Sequence, residues 1–212
     1  MRSGVMNRQP FGGRYAPIGG GFLTSNSTAP KFMTPTGAEV GDVLVACVSW
    51  ESLAVMTPAA GWTMINESLH TASAQTLGTY WRVHGSESMQ EVFTLSVSAV
   101  WVSMVMICKH INRFSPIIIS AETENVSSAT MTFPAITPGE KAVLVGVVGS
   151  SGGRHIVNSP PGWSRLSKEP AQTINITSKD TTVGPELTPT FIGSLSSSTF
   201  HAIQTIALRP AS

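Results

Sequence analysis

The residues that could carry out catalysis or bind a metal are scattered along this chain. None of its five histidines lies in an HExxH or HxH pair, so the sequence has no metal-ligand spacing and we predict no metal site. Cys108 lies two residues before His110, on the same face of a predicted strand. Because an apolar environment raises the pKa of a thiol and leaves it a poor nucleophile, we interpret this pair as structural.

Two other patterns resemble parts of active sites but lack the partners that such sites need. Glu122 and Glu124 could supply the carboxylate pair of a glycoside hydrolase, yet they lie in a Ser/Thr/Asn-rich segment that we interpret as a solvated turn. The Gly-rich segment 149–154 follows a predicted strand, but neither a lysine nor a helix comes after it, as a phosphate-binding loop requires. We therefore predict that the protein is not an enzyme and binds no cofactor.

The tryptophans are the remaining residues with a possible chemical role. Exposed tryptophans on a β-sheet can stack on sugar rings, and we take Trp50 and Trp81, on or at the ends of predicted strands, as candidate ligand aromatics. Trp62 and Trp163 occupy equivalent places in a repeated phrase. A ligand platform would not need to recur in both halves at the same place, so we interpret these two as structural.

An internal repeat predicts the elements that position these residues. The segments 41–48 (GDVLVACV) and 139–148 (GEKAVLVGVV) each precede a Pro/Gly corner, which leads into Trp62 in one copy and Trp163 in the other. Asp42–Trp50 is apolar on both of its faces, as expected of an interior strand that is covered on each side. The sequence therefore predicts an all-β fold, a β-sandwich or jelly roll built from two similar half-domains. These halves cover about 35–125 and 130–210.

The first residues of the chain differ in composition from the rest. Residues 1–31 are rich in Gly and Pro and show no sustained period, so we predict an extended N-terminal arm, followed by the sandwich over 32–212. Such a segment cannot bury enough surface by itself to offset its ordering entropy, so it is expected to lie against its own core or a neighbouring subunit. The aromatic residues of the arm are the candidate assembly contacts: Phe11, Tyr15 and Phe22.

The charge content limits the classes of partner. A net charge of +1 gives no electrostatic footprint for nucleic acid or for an acidic membrane, and the longest apolar run, Ala99–Cys108, is too short for a spanning helix. Charged residues make up only 12% of the chain. Either Ser and Thr hydroxyls solvate its surface, or partner proteins cover much of it, and the second interpretation predicts a homo-oligomer.

The Gly-Asp-led strand, the proline-containing Gly-Trp-[Ser/Thr] corner, the many Ser and Thr residues and the Gly-rich arm resemble structural proteins of tailed-phage virions. The resemblance covers roughly residues 35–208 and supplies no catalytic residue. It implies a virion location, a homotrimer, and contacts with the major capsid protein or other virion proteins. We expect a capsid decoration (cement) subunit; the alternative is a tail-fibre or receptor-binding module that recognises host-surface glycans.

Overall fold

The fold is all-β throughout the part of the chain that the structure describes, which confirms the predicted class. The computed structural model describes residues 18–33, 35–71, 74–86, 90–150, 156–166, 174–179, 183 and 191–211. The strands, in chain order, are β1 (Ile18–Ser27), β2 (Lys31–Met33), β3 (Val43–Glu51), β4 (Met56–Thr57), β5 (Thr63–His70), β6 (Gln75–Val83), β7 (Gln90–Val92), β8 (Thr94–Leu95), β9 (Ala99–Cys108), β10 (Ile117–Phe133), β11 (Val143–Ser150), β12 (Ile156–Asn158), β13 (Trp163–Arg165), β14 (Ile174–Lys179) and β15 (Phe191–Leu208).

Two antiparallel sheets form the body of the molecule, and each comes from one half of the chain. The first has the strand order β1-β9-β3-β6-β5, and the second has the order β10-β15-β11-β14-β13, with β12 attached to β15. Two small pairs, β2 with β7 and β4 with β8, complete the described strands. The longer strands of each half lie together in one sheet, whereas β2, β4, β7 and β8 of the first half pair outside it.

Each large sheet is covered on both faces, which explains why its central strands are apolar throughout. The main core lies between the sheets, where Val45 and Met106 of the first meet Val145 and Ile206 of the second. A second cluster covers the outer face of the first sheet, and two smaller clusters cover the outer face of the second. The sandwich therefore has three apolar layers rather than one.

The two sheets share one pattern of strand pairing. Val43 pairs with Cys108 in the first sheet, and Val143 pairs with Leu208 in the second, so both members of the pair are displaced by 100 residues. The small pairs follow the same rule, since Met56 lies opposite Leu95 and Ile156 lies opposite Leu195. The repeat seen in the sequence thus extends to the cross-strand register.

The first strand lies inside the segment that we predicted to be an arm. Ile18–Ser27 forms β1 and pairs with β9, although the arm was placed at 1–31. Ser25 lies opposite Trp101, just as Asn125 of β10 lies opposite His201, so β1 is the counterpart of the first part of β10. The structural repeat therefore begins at β1 and β10, upstream of the predicted boundaries at 35 and 130. As an edge strand, β1 is held by backbone hydrogen bonds on one side, so it needs little of the apolar alternation that marks an interior strand.

The sheets face each other with their strand order reversed. β5 lies against β10 and β15, whereas β3 lies against β11 and β14. Gly149 lies beside its counterpart Ser49, whose Oγ is 3.0 Å from the place that a Cβ on Gly149 would take, so equivalent strand ends lie at the same end of the sandwich. The halves are thus related by an approximate twofold axis parallel to the strands.

The sandwich has a proximal end and a distal end. The proximal end is where β3 begins and β6 and β9 finish, at Val43, Val83 and Cys108. The distal end is where β3 finishes and β6 and β9 begin, at Glu51, Gln75 and Ala99.

Candidate assembly surface

The candidate ligand aromatics lie in the interior. Trp50 is 0% exposed and its Nε1–H donates to the carbonyl of Ala54 at 2.9 Å, because the outer face of β3 is covered by the layer that contains β2, β4 and β8. Trp81 is half-buried and packs against the core between the sheets. Trp50 has no free face for a sugar, so the ligand assignment is wrong for Trp50, and for Trp81 it stays a prediction. All five tryptophans are described, and each is buried or half-buried: Trp50, Trp62, Trp81, Trp101 and Trp163.

The duplicated tryptophans anchor the outer layers, as their repetition predicted. Trp62 stacks on Phe32 with ring centroids 5.8 Å apart, and Trp163 stacks on Phe133 at 5.7 Å. Each follows a glycine with positive φ, and the indole residue's backbone N–H closes the turn onto the carbonyl three residues earlier, at 3.2 Å for Trp62 and 3.0 Å for Trp163. The two halves thus carry the same aromatic pair in nearly the same geometry.

The thiols are not placed for chemistry. Cys47 and Cys108 are both buried and both free, and burial raises the pKa of each thiol far above its ordinary value. A protonated thiol in an apolar core is a small hydrophobic group rather than a nucleophile. Among the described residues, no group of three or more His, Cys, Asp or Glu side chains could hold a metal ion.

The two glutamates lie in a strand, not in the turn that we predicted. Glu122 and Glu124 belong to β10, where they pair with Gln204 and Ala202. The Glu122 carboxylate accepts a hydrogen bond from the Ser68 hydroxyl at 2.7 Å. β10 lies beside β5 across the sandwich, and this contact uses the carboxylate to join two sheets rather than to line an open cleft.

A buried polar network continues from this contact. The Gln204 amide donates to the Ser68 hydroxyl at 2.8 Å and to the Leu77 carbonyl at 3.0 Å, and it accepts from the Thr79 hydroxyl at 2.6 Å. Burial, together with the charge of Glu122, raises the pKa of the nearby Glu67 carboxyl. These groups satisfy one another across the sheet interface, so they serve cohesion. Of the Gly-rich segment, Gly149 and Ser150 end β11, and residues 151–154 lie outside the described part.

The candidate assembly contacts fall largely outside the described residues. Phe11 and Tyr15 lie outside the described part. For Phe22 the structure describes only the backbone, which belongs to β1 and pairs with Met104 of β9. Phe114, in the loop that joins the halves at the proximal end, is an aromatic residue that we did not predict as a contact. Its side chain is 82% exposed, the largest exposure among the large hydrophobic residues described.

The loop that carries Phe114 is held in place by hydrogen bonds. The Asn112 Oδ1 accepts the backbone N–H of Phe114 at 3.0 Å and that of Ser115 at 3.2 Å. Arg209 donates from its Nη1 to the Ser115 carbonyl at 2.7 Å, and the guanidinium of Arg113 lies 4.9 Å from the Phe114 ring centroid. The exposed ring is therefore presented on a fixed turn.

A signal in the sequence could have led to Phe114. The motif Arg113-Phe114-Ser115-Pro116-Ile117 precedes β10, and Arg14-Tyr15-Ala16-Pro17-Ile18 leads into β1. The two motifs differ only by Phe for Tyr and Ser for Ala. The candidate contact Tyr15 is thus the sequence counterpart of the exposed Phe114.

Two basic side chains at the proximal end form ion pairs. Lys109 lies 3.0 Å from Glu39 and 3.1 Å from Asp42, and Arg209 lies 2.7 Å from Glu140. Burial lowers the pKa of Lys109, but the hydrogen bonds to the two carboxylates outweigh it and raise that pKa overall. These pairs fix the proximal loops.

Comparison of the chain with protein-family models, with curated proteins and with solved structures gives no match. Within the described residues, no helix has the length and apolar character needed to cross a membrane.

Proposed function

We propose that the protein is a structural subunit of a virion and that it acts as a capsid decoration (cement) protein. In this role it is made in the host cytoplasm, associates as a homotrimer, and binds the major capsid protein or other virion proteins. The resemblance of its strand and corner motifs to tailed-phage structural proteins supports the proposal, and the low charge fits a surface that partners cover.

One observation carries the proposal. Residues 1–17 lead into β1, which pairs with β9 at the edge of the first sheet, so they join the sandwich at its border. They join it at the proximal end, the end where Phe114 is exposed. A segment attached there can contact a neighbouring subunit without any change in the core. We assign residues 1–17 to contacts with the capsid.

No observation favours the glycan-binding alternative. That role needs an exposed aromatic platform, and the described tryptophans are all buried or half-buried. Phe114 is exposed, but Arg113 already lies over its ring.

The test is a deletion of residues 1–17 alone. A longer deletion would remove β1 and expose the edge of β9, which would confuse binding with folding. We expect the truncated chain to keep the circular dichroism spectrum and Tm of the full chain. Its affinity for particles assembled without this protein, measured by co-sedimentation, should fall at least about tenfold, which corresponds to about 1.4 kcal/mol.

The control is the full chain with Tyr15→Ala, which should weaken binding in the same direction without shortening the chain. A truncated chain that saturates the particles as the full chain does would refute the assigned role of this segment. Specific hits on a glycan array, with no binding to particles, would favour the receptor-binding alternative instead.

A further inference from the structure

We propose that copies of this chain associate head to tail, the proximal end of one copy binding the distal end of the next. This inference does not depend on the virion role, because it concerns only how the chain recognises itself. It rests on two exposed apolar patches at opposite ends of the first sheet, each beside a charged side chain that takes part in none of the ion pairs between described residues, and the two charges have opposite signs.

The proximal patch consists of Phe114, Val40 and Arg113. Phe114 is 82% exposed and Val40 is 72% exposed. The Arg113 Nη1 lies 3.8 Å from the place that a Cβ on Gly41 would take, so this side chain spans the gap between the Phe114 ring and the loop of Val40. None of the ion pairs formed by the described residues includes Arg113.

The distal patch consists of Leu53, Val55, Val97 and Glu51. The three apolar side chains are 60%, 67% and 54% exposed, in that order. Reciprocal bonds hold two of their loops together, since the Val55 N–H donates to the Ser96 hydroxyl and the Ser96 N–H to the Val55 carbonyl, both at 3.0 Å. Glu51 ends β3 next to this patch, is exposed, and takes part in none of the described ion pairs.

The two patches complement each other but cannot meet within one copy. β3 contains nine residues, so it separates the ends by roughly 27 Å. Contact between the two patches would remove the apolar side chains of both from water, which is favourable. In the same contact Arg113 of one copy can form an ion pair with Glu51 of the next. Because the two patches differ, the contact is heterologous, and repetition of it gives either a closed ring, such as a trimer, or an open filament.

The test uses two variants, each blocked at one end. Phe114→Asp blocks the proximal patch and Val55→Asp blocks the distal patch; both positions are exposed, so both variants should keep the wild-type circular dichroism spectrum. The wild-type chain should show a mass above that of a monomer in light scattering, rising with concentration for a filament and constant for a ring. Each blocked variant alone should be a monomer. A mixture of the two should form a 1:1 dimer, because each variant retains one intact end.

A charge exchange tests the proposed pair. Arg113→Glu and Glu51→Arg should each weaken association by about tenfold, and the two changes in one chain should restore most of it. A wild-type chain that remains monomeric at all concentrations would overturn the inference, and so would a mixture of blocked variants that fails to pair. Self-association without binding to particles would leave this inference standing while it refuted the proposed function.

Discussion

The two halves of the molecule pair their equivalent strands in the same way, but these strands are interrupted in the first half and continuous in the second. In the first half the chain breaks between β1 and β2, and again among β7, β8 and β9. In the second half β10 and β15 run through the corresponding positions as single long strands with bulges. Phe32 of β2 and Phe133 of β10 nevertheless stack on equivalent tryptophans. The register and the aromatic anchor are common to both halves, whereas the continuity of the strands is not.

The space around the anchor is also filled differently. In the first half Tyr80 and Phe93 add two rings to the Phe32–Trp62 pair, and a Cβ on Gly78 would lie only 2.8 Å from the Tyr80 hydroxyl. In the second half Phe133 itself lies over Gly146, so the close approach is on β11 instead of β6. Each half thus places one glycine under an aromatic ring, but on different strands. The difference predicts that equivalent substitutions will have unequal effects.

Removal of the anchoring tryptophans should have the largest effect. Trp62→Ala and Trp163→Ala should each lower the free energy of unfolding by roughly 3–5 kcal/mol, as expected for buried indoles. The loss should be greater at Trp62, which contacts Phe32, Phe93 and the Arg82 guanidinium. Urea denaturation of the two variants measures the difference. Equal losses would show that the extra rings of the first half contribute nothing to the anchor.

The glycine under Phe133 gives the next largest effect. An added Cβ at Gly146 would lie 2.3 Å from the Phe133 Cε1, and the ring cannot move freely because it stacks on Trp163. Gly146→Ala, which copies Ala46 of the first half, should therefore cost roughly 1–3 kcal/mol of unfolding free energy.

Ala46→Gly is the matched control for this substitution. It should cost roughly 1–2 kcal/mol, from backbone entropy and from the lost burial of the Ala46 methyl group. An unchanged urea midpoint for Gly146→Ala would mean that the ring yields and that the close packing is not a constraint.

The features that could be predicted from the sequence are those with a strong local signal. Val43–Val48 and Val143–Val148 are continuous apolar runs because both of their faces are buried, and the glycines before Trp62 and Trp163 mark turns that need positive φ. These signals sufficed for the fold class and the repeat. β1 lacked one, since Ile18–Ser27 is rich in Gly and Ser and its partner on β9 is distant in the chain.

The candidate surface was harder to predict, for a physical reason. Whether Trp50 is exposed depends on β4 and β8, which cover it through tertiary contacts that no local pattern reveals. Glu122 lies in a polar segment whose composition predicts a turn, but its pairing with Gln204 makes it part of a strand. Only Phe114 had a usable signal, in the repeated Arg-aromatic-x-Pro-Ile motif.

The polar network around Gln204 has an apolar counterpart at the twofold-related site. Gln204 pairs with Val147, and Met104 pairs with Cys47 at the equivalent position of the first sheet. Likewise Thr79 pairs with Cys47, and its equivalent Ile176 pairs with Val147. Gln204→Met alone would leave the Thr79 hydroxyl only the longer bond to the Asn66 carbonyl, at 3.4 Å, and would remove the amide donor of the Leu77 carbonyl, so it should cost roughly 1–3 kcal/mol. Gln204→Met with Thr79→Ile copies the apolar version and should recover part of that loss.

A double-mutant cycle of unfolding free energies measures the coupling between Gln204 and Thr79. Met104→Leu is the control, since a swap of similar volume in the apolar site should cost less than about 1.5 kcal/mol. Additive losses from the two substitutions would show that the hydrogen bond between them is not what sets the cost.

The smallest effect is expected where the halves already agree. Cys47 occupies the position of Val147 in the same core, and burial, with a smaller contribution from Cys108, raises the pKa of its thiol. The neutral thiol packs as a hydrophobic group, so Cys47→Val should change the unfolding free energy by less than about 1 kcal/mol in either direction. For the same reason both thiols should resist a thiol reagent until the chain unfolds. Rapid labelling of the folded wild-type chain, absent from the Cys47→Val variant, would show that this core opens locally and that the two halves differ in dynamics as well as in packing.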